Sequence, residues 1–333
     1  MGRASVWQGC PRPGDNRLSA EPPFWLRTWR GRGYSADVIG EGKAGTGPGT
    51  VAVVVLSHRA PAQVARLASR LAAGRDTLVA IHHDPKGEPL ALRASSSMAL
   101  VPDPVPCPWG RSGINVAIRK SLEWVGANVP ELSWVLVISG QDYPIRSMRS
   151  IEDELASAPC DAFMRYLRVD GDPADDVHRW QGIARQRYLY RRRLPASARS
   201  VRLPWPRRHP FGDGFRLYAG EQWVNLSARA VHKVLDSPFS DGVLRYLRRS
   251  PNSDEAWLTS VALNGEPELT VVNDRRRYVQ WPGGTPHPAV LGPDHLPALR
   301  DSTAFFARKI DLGAWPQACD ALDALAEARA TVP

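Results

Sequence analysis

The chain has 333 residues, of which 43% are hydrophobic and 23% are charged. This is the composition of an ordinary globular protein, and it excludes a chain that is disordered throughout or built as a fibrous repeat. Lysine and arginine number 43 against 34 aspartates and glutamates, and the resulting net charge of +9 suits an anionic partner such as a nucleotide, a nucleic acid or an anionic membrane. The four cysteines form no CxxC pair, which argues against a zinc site and a disulfide framework.

Residues 1–48 differ from the rest of the chain. They contain Gly, Pro, Arg and scattered Trp without an apolar period, and they end in a glycine-rich stretch typical of a flexible linker. We predict a disordered leader here and one domain at 49–333. No run of roughly 18 or more apolar residues occurs, and the N-terminus lacks the basic-then-apolar order of a signal peptide. These features predict a cytoplasmic protein.

Apolar runs and helix signals alternate through the first half of the ordered region. Residues 51–56 are continuously apolar, as in a strand that is buried on both faces. A proline inside the start of a helix and a glycine past its end mark the element that follows. The predicted strands are at 51–56, 77–81, 98–101 and 134–138. One predicted helix runs from Pro61 to Gly74, and a second begins after Ser112, which caps it. A third begins at Ser150 and has Glu152, Asp153 and Glu154 in its first turn.

This alternation predicts an α/β fold, with a mostly parallel Rossmann-type sheet and helices on both faces. The second half is less regular. Its predicted elements are a strand at 162–169, a basic segment without acids at 177–210, a helix capped by Ser227, a helix at 254–263, loops at 282–297 and a last helix at about 316–328.

Polar residues follow three of the predicted strands, where such a sheet would expose them to a ligand. They are Ser57-His58-Arg59, His82-His83-Asp84 and the segment 139–144. A carboxylate after the second strand, here Asp84, commonly accepts hydrogen bonds from ribose hydroxyls. The chain has neither GxGxxG nor GxxxxGK[ST], so the usual dinucleotide and P-loop interpretations fail.

Two patterns could bind a metal ion. Asp170-Gly-Asp172 matches the DxD with which many nucleotide-sugar enzymes hold a divalent metal, but it also reads as an acidic turn. His82 and His83 are adjacent on a predicted strand, so their side chains point to opposite faces and do not readily chelate one ion. We predict no metal site.

Several short segments resemble, in the same order, the signature segments of one enzyme family. They are His58 after the opening strand, the stretch 81–84, Trp109-Gly110 before a helix, SGQDYPI at 139–145, GEQWV at 220–224, SDE at 253–255 and FFARKID at 305–311. The family comprises the core-2/I-branching β-1,6-N-acetylglucosaminyltransferases and the peptide O-xylosyltransferases (glycosyltransferase family 14). The resemblance covers about residues 50–312.

The resemblance implies a single GT-A-like catalytic domain that performs an inverting transfer from a UDP-sugar to a glycan or glycoconjugate acceptor, without a metal or other cofactor. The nucleotide-binding half would span about 49–160 and the acceptor half about 161–312, with a C-terminal helix within 313–330. It implies that Glu255 is the general base and that Arg308 and Lys309 bind the diphosphate. The implied donor contacts are Leu56, Asp84, Trp109, Gln222, Trp223 and Thr285, with His58 and Asp142 in support.

The chemistry of these residue types agrees with that implication. Inversion needs one carboxylate to take the proton from the attacking hydroxyl. Fixed cations can stabilise the charge that develops on the departing UDP, Arg through bidentate geometry and Lys as a compact charge.

The chain also departs from the family pattern. Gln222 stands where xylosyltransferases carry an acid, which favours N-acetylglucosamine over xylose. Pro286 and His287 stand where the branching enzymes use a further arginine, so His287 or the run Arg275, Arg276 and Arg277 could supply part of the phosphate binding. The disulfides and membrane anchor of vertebrate members are not found in the sequence, which suggests a bacterial-type cytosolic relative.

A dense arginine cluster stands apart from these motifs. Three interpretations stay open: a solvated face, a docking surface for an anionic membrane or polyanionic acceptor, and a nucleic-acid interface. We predict no nucleic-acid partner and keep a peripheral contact with the inner membrane as a candidate. The alternatives to a transferase are a basic nucleic-acid-binding protein and a sugar-binding protein without turnover. The cluster consists of Arg185, Arg187, Arg191, Arg192, Arg193, Arg199, Arg202, Arg207 and Arg208.

Overall fold

The computed structural model describes residues 49–108, 112–171, 178–193, 201–282 and 287–330. The strands are β1 (Thr50–Ser57), β2 (Thr77–His83), β3 (Met98–Leu100), β4 (Leu132–Ser139), β5 (Asp142–Pro144), β6 (Ala162–Phe163), β7 (Tyr166–Arg168), β8 (Tyr190–Arg193), β9 (Val201–Pro206), β10 (Tyr218–Gly220), β11 (Asn225–Ser227), β12 (Val271–Val272), β13 (Arg277–Val279) and β14 (Phe306–Arg308). The helices are α1 (Pro61–Leu71), α2 (Gly113–Asn128), α3 (Met148–Ala156), α4 (His178–Tyr188), α5 (Ala228–Asp236), α6 (Ser240–Leu247), α7 (Trp257–Ala262), α8 (Leu296–Asp301) and α9 (Ala318–Ala330).

The main sheet has seven strands in the order β12-β6-β11-β4-β1-β2-β3. β1 lies parallel to both β2 and β4, and β2 lies parallel to β3. β11 is antiparallel to its neighbours β4 and β6. The sheet is therefore mostly parallel, and the ends of β1, β2 and β4 meet at one edge.

Successive side chains of β1 point into two different hydrophobic cores. Ala52 and Val54 pack with apolar residues of α2, α5 and α7, whereas Val53 and Val55 pack with those of α1, α3 and α9. This alternation is the two-residue period of a strand, and both faces of it are buried. Helices thus cover both faces of the sheet, and the predicted α/β fold class is confirmed.

A smaller sheet joins the C-terminal part of the chain to the loop after β4. Its order is β13-β14-β5, with β14 parallel to β13 and antiparallel to β5. In this register Arg308 lies opposite Asp142. The small sheet therefore fixes the position of the FFARKID segment relative to the end of the main sheet.

Of two predicted helix starts, the one after Ser112 is confirmed in position but not in its side-chain cap, and the one at Ser150 was wrong. The side chain of Ser112 caps no N–H of α2. α3 begins at Met148, because Ser147 has extended backbone and its Oγ accepts a hydrogen bond from Ser150 N at 3.2 Å. Glu152 therefore lies beyond the first turn, where its carboxylate accepts a hydrogen bond from Thr77 Oγ1 at 2.6 Å. It links α3 to the start of β2.

Two predictions for the second half also need correction. The strand expected at 162–169 is divided, since β6 belongs to the main sheet while β7 pairs with β10. The helix expected at 254–263 begins as a separate 3-10 turn, Ser253–Glu255, and continues as α7. The basic segment forms α4 and the β8–β9 hairpin over its described residues. The predicted Ser227 cap of α5 is confirmed by its bond to Ala230 N at 3.2 Å.

The predicted leader at 1–48 lies outside the described residues. Within the described ranges, no helix combines the length and the hydropathy needed to cross a bilayer.

Candidate active site

A cavity of about 550 Å³ lies at the carboxyl ends of β1, β2 and β4. This is the edge at which open parallel sheets bind ligands, because the loops there can converge on one space. Residues from distant parts of the sequence meet in its wall. The predicted site residues that line it are Leu56, His58, Asp84, Gln222, Trp223, Glu255, Arg308 and Lys309.

Arg308 is held at the cavity wall by three neighbours. Its Nη1 lies 3.0 Å from Asp142 Oδ2 and also donates to Ser139 Oγ. Its guanidinium carbon lies 4.7 Å from the centroid of the Trp223 ring, which is a cation–π distance. Asp142 itself is fully buried and accepts a hydrogen bond from Ser139 N at 2.7 Å. Asp142 therefore lies behind the wall and orients Arg308.

Asp142 also neutralises a second, wholly buried guanidinium. Arg277 Nε lies 3.6 Å from Asp142 Oδ1. The Nη atoms of Arg277 donate to the carbonyl oxygens of Val137 at 2.7 Å and Trp223 at 3.0 Å. Burial lowers the pKa of Arg277 to about 10, against the opposing effect of Asp142. The guanidinium stays cationic at neutral pH, and it belongs to the support of the site.

Lys309 presents an ammonium without a counter-ion to the same cavity. Over the described ranges its Nζ makes no hydrogen bond and no ion pair. Burial lowers the pKa of Lys309, and the nearby charges of Arg308 and Arg59 lower it further. Like charges around a half-buried ammonium favour an anion as ligand, because the anion relieves their repulsion.

Glu255 ends the 3-10 turn that precedes α7. Asn252, in the left-handed conformation with φ 50°, donates from Nδ2 to Glu255 Oε1 at 2.9 Å. Arg187 Nη1 donates to Oε2 at 2.5 Å, and the side chain of Glu255 remains 24% exposed. Burial raises the pKa of Glu255, while Arg187 and Asn252 act in the opposite direction. A carboxylate with a raised pKa is a better proton acceptor near neutral pH.

A family model described as core-2/I-branching enzyme matches residues 54–299, well over half of the chain. The chain belongs to the core-2/I-branching enzyme family. The resemblance seen in the motifs is thereby confirmed over residues 54–299, a range that ends before the segment 305–311. The protein is a glycosyltransferase of this type, for which the family implies a nucleotide-sugar donor and a glycan acceptor. A comparison with curated proteins found no match.

In this family member, Asp84 lies in the cavity wall directly after β2. Its Oδ1 accepts from Lys86 N at 2.8 Å and its Oδ2 from Cys107 N at 2.8 Å. Both bonds come from backbone amides, so each oxygen keeps a lone pair for a further donor. Trp109 and Thr285, two other predicted donor contacts, lie outside the described residues.

The two histidines before Asp84 have separate partners. His82 Nε2 accepts from Val105 N at 3.0 Å, whereas His83 Nδ1 lies 2.9 Å from Ser57 Oγ. Asp170 pairs with Arg168 at 2.8 Å and does not line the cavity. Asp172 is not among the described residues. Over the described ranges, no three His, Cys, Asp or Glu side chains are grouped as metal ligands would be.

The suggestion that Arg275, Arg276 and Arg277 help to bind phosphate is wrong, because each of the three has another partner outside the cavity wall. Arg277 is buried against Asp142, and the other two form ion pairs with Glu221 and Glu154, respectively. None of the three lines the cavity, whereas His287, the other candidate, does.

Sequence reasoning missed three residues of the site: Asn252, Asp254 and Arg187. Asp254 lines the cavity beside Glu255, and its carboxylate accepts no hydrogen bond from another described residue. Burial, reinforced by Glu255, raises the pKa of Asp254 to about 7. Arg187 contacts Glu255 from α4. The adjacent pair of acids was a visible signal for Asp254. Nothing in the sequence singled out Arg187 from the other arginines of its cluster.

Proposed function

We propose that the protein is an inverting, metal-independent glycosyltransferase that moves a sugar from a UDP-sugar to an acceptor hydroxyl. One observation carries the proposal: Glu255, Arg308 and Lys309 line the same cavity. Glu255 supplies a carboxylate that can take the proton of the attacking hydroxyl. Arg308 and Lys309 supply two cations that can stabilise the negative charge that develops on the leaving UDP.

The cations suit a diphosphate. Arg308 is held in place by Asp142 and Ser139, so little motion is lost when a phosphate binds to it. Lys309 adds a compact charge that forms no ion pair with a described residue. As the bond between the anomeric carbon and the β-phosphate oxygen breaks, its electron pair stays on UDP, and preorganised cations stabilise that charge. They supply here what a divalent metal supplies elsewhere.

Glu255 suits the other half of the reaction. The acceptor oxygen bonds to the anomeric carbon from the face opposite UDP, and its proton passes to the carboxylate of Glu255. Asn252 and Arg187 fix both carboxylate oxygens, at 2.9 Å and 2.5 Å, so that the group is oriented before the acceptor arrives. The raised pKa of Glu255 favours this proton transfer.

Residues at the ends of β1 and β2 suit the nucleotide. Leu56 and Asp84 line the cavity, and the carboxylate of Asp84 can accept from ribose hydroxyls. Gln222 also lines it and offers an amide, which can both donate to and accept from an N-acetyl group. We therefore favour N-acetylglucosamine over xylose as the transferred sugar.

The test is release of UDP from a panel of UDP-sugars by the full chain, with EDTA present. We expect slow hydrolysis of one donor, lost in Glu255→Gln while UDP binding persists. Glu131→Gln is the matched control, because Glu131 is exposed and precedes β4 at the opposite edge of the sheet. Unchanged turnover in Glu255→Gln would remove this residue as the base. Inhibition by EDTA that Mn²⁺ reverses would contradict metal independence.

A further inference from the structure

The β8–β9 hairpin and the residues directly after it carry a concentrated positive charge. Arg191, Arg202 and Arg208 are exposed, and none of them forms an ion pair with another described residue. No acid occurs anywhere in the segment 177–210. We call these three residues the arginine face. A face of this kind lacks the interspersed acids of an ordinary solvated surface, and it attracts anions.

This face is linked to Glu255 through the end of α4. Arg187, at the end of α4, bonds to Glu255 at 2.5 Å. Arg192 of β8 donates from Nε to the Arg187 carbonyl at 3.3 Å and stands opposite Arg202 in the hairpin. The hairpin is thus joined to the residue that holds the proposed base. The arginine face is therefore connected to Glu255 through Arg192 and Arg187.

The guanidinium groups are positioned as well as charged. Arg202 lies over the Tyr190 ring at 4.7 Å and Arg207 over the Tyr246 ring at 3.5 Å. Burial lowers the pKa of Arg192, and the charges of Arg187, Arg202 and Arg207 contribute to the same effect. Arginines held close together against their mutual repulsion gain stability when a multivalent anion binds between them.

We infer that the acceptor is a glycan that carries phosphate, and that its phosphate groups dock on the arginine face while its hydroxyl reaches Glu255. This inference rests on the proposed function. Phosphate fits better than a carboxylate, because it carries up to two charges and offers several oxygens to guanidinium groups. The acceptor itself is the occupant, since the face is linked through Arg192 and Arg187 to Glu255, the residue that the attacking hydroxyl must reach.

The test measures binding, with UDP present, of a mannose pentasaccharide with a terminal phosphate and of the same sugar without it. We expect the full chain to bind the phosphorylated form at least about tenfold more tightly, and the variant Arg191→Gln/Arg202→Gln/Arg208→Gln to lose that preference. The control variant Arg93→Gln/Arg149→Gln/Arg300→Gln removes the same number of positive charges from exposed arginines. These lie beside the hydrophobic core that contains α1, α3 and α9, and the variant should keep the preference for the phosphorylated sugar.

Equal binding of the two sugars would overturn the inference. So would tighter binding of arbitrary duplex DNA, or of anionic phosphatidylglycerol vesicles, that the arginine-face variant abolishes. UDP binding and donor hydrolysis, measured on the same variants, should be unchanged by the arginine-face substitutions. A protein that hydrolyses no UDP-sugar would count against the proposed function alone, because the phosphate preference is read from binding.

Discussion

Removing the charge of Asp142 tests how the site is supported. The substitution Asp142→Asn keeps the size of the side chain and one oxygen, which can still accept the hydrogen bond from Ser139 N at 2.7 Å. It removes the negative charge that faces Arg277 at 3.6 Å and Arg308 at 3.0 Å. Its effect is therefore electrostatic, with little change in packing.

The cost falls mainly on Arg277. Its side chain is 0% exposed, whereas that of Arg308 is 13% exposed and can turn towards water in the cavity. Loss of one partner of a buried ion pair typically costs about 3–5 kcal/mol, because the remaining charge is uncompensated. Arg277 keeps its bonds to the Val137 and Trp223 carbonyls. We therefore expect the lower end of that range, about 3 kcal/mol.

Urea unfolding followed by tryptophan fluorescence measures this loss. With a slope of about 3 kcal/mol per molar, the midpoint should fall by about 1 M at an unchanged slope. The exposed Asp213→Asn is the control. Adding Arg277→Met to Asp142→Asn should restore part of the stability, since it removes the unpaired charge. A loss below about 1 kcal/mol, with no recovery in the double variant, would refute the reasoning.

Two further predictions concern the cavity wall. Lys309→Ala should weaken UDP binding about tenfold or more in calorimetry. Lys309→Arg should lose less affinity, because the positive charge is what binds the phosphate. Equal affinity of Lys309→Ala and the wild type for UDP would exclude Lys309 from the phosphate site. Asp254 has a folded-state pKa raised to about 7 from an ordinary 3.8, so the wild type loses stability as the pH rises between these values. Asp254→Asn cannot titrate, and its melting temperature relative to the wild type should therefore rise from pH 5 to pH 8; a constant difference would contradict the raised pKa.

The sheet and the place of the cavity could be predicted because local signals agree with the fold there. The apolar run at 51–56 matches β1, and strands buried on both faces have few other interpretations. The carboxyl ends of parallel strands then indicate where a ligand binds. The short strands β6 and β7 could not be separated, because 162–169 reads as one run and only pairing with distant strands divides it.

The roles of the arginines could not be predicted, because they depend on contacts between distant residues. Arg275, Arg276 and Arg277 form one basic run in the sequence. The parallel pairing of β13 with β14 buries the third beneath the site, while the first two form ion pairs with Glu221 and Glu154. Arg187 likewise differs from its neighbours only because α4 brings it to Glu255, 68 positions along the chain. Tertiary structure decides which arginine is structural and which reaches the site.

The proposed leaving-group cations and the proposed base have separate supports. Arg308 depends on Asp142 and Ser139, at the junction of the two sheets. Glu255 depends on Arg187 and Asn252, which come from α4 and the turn before α7. Over the described ranges these two sets share no residue, so damage to one need not displace the other. Substitutions that weaken donor binding can therefore leave the activation of the acceptor unchanged, and the reverse also holds. Substitutions in the arginine face should affect only the binding of the acceptor.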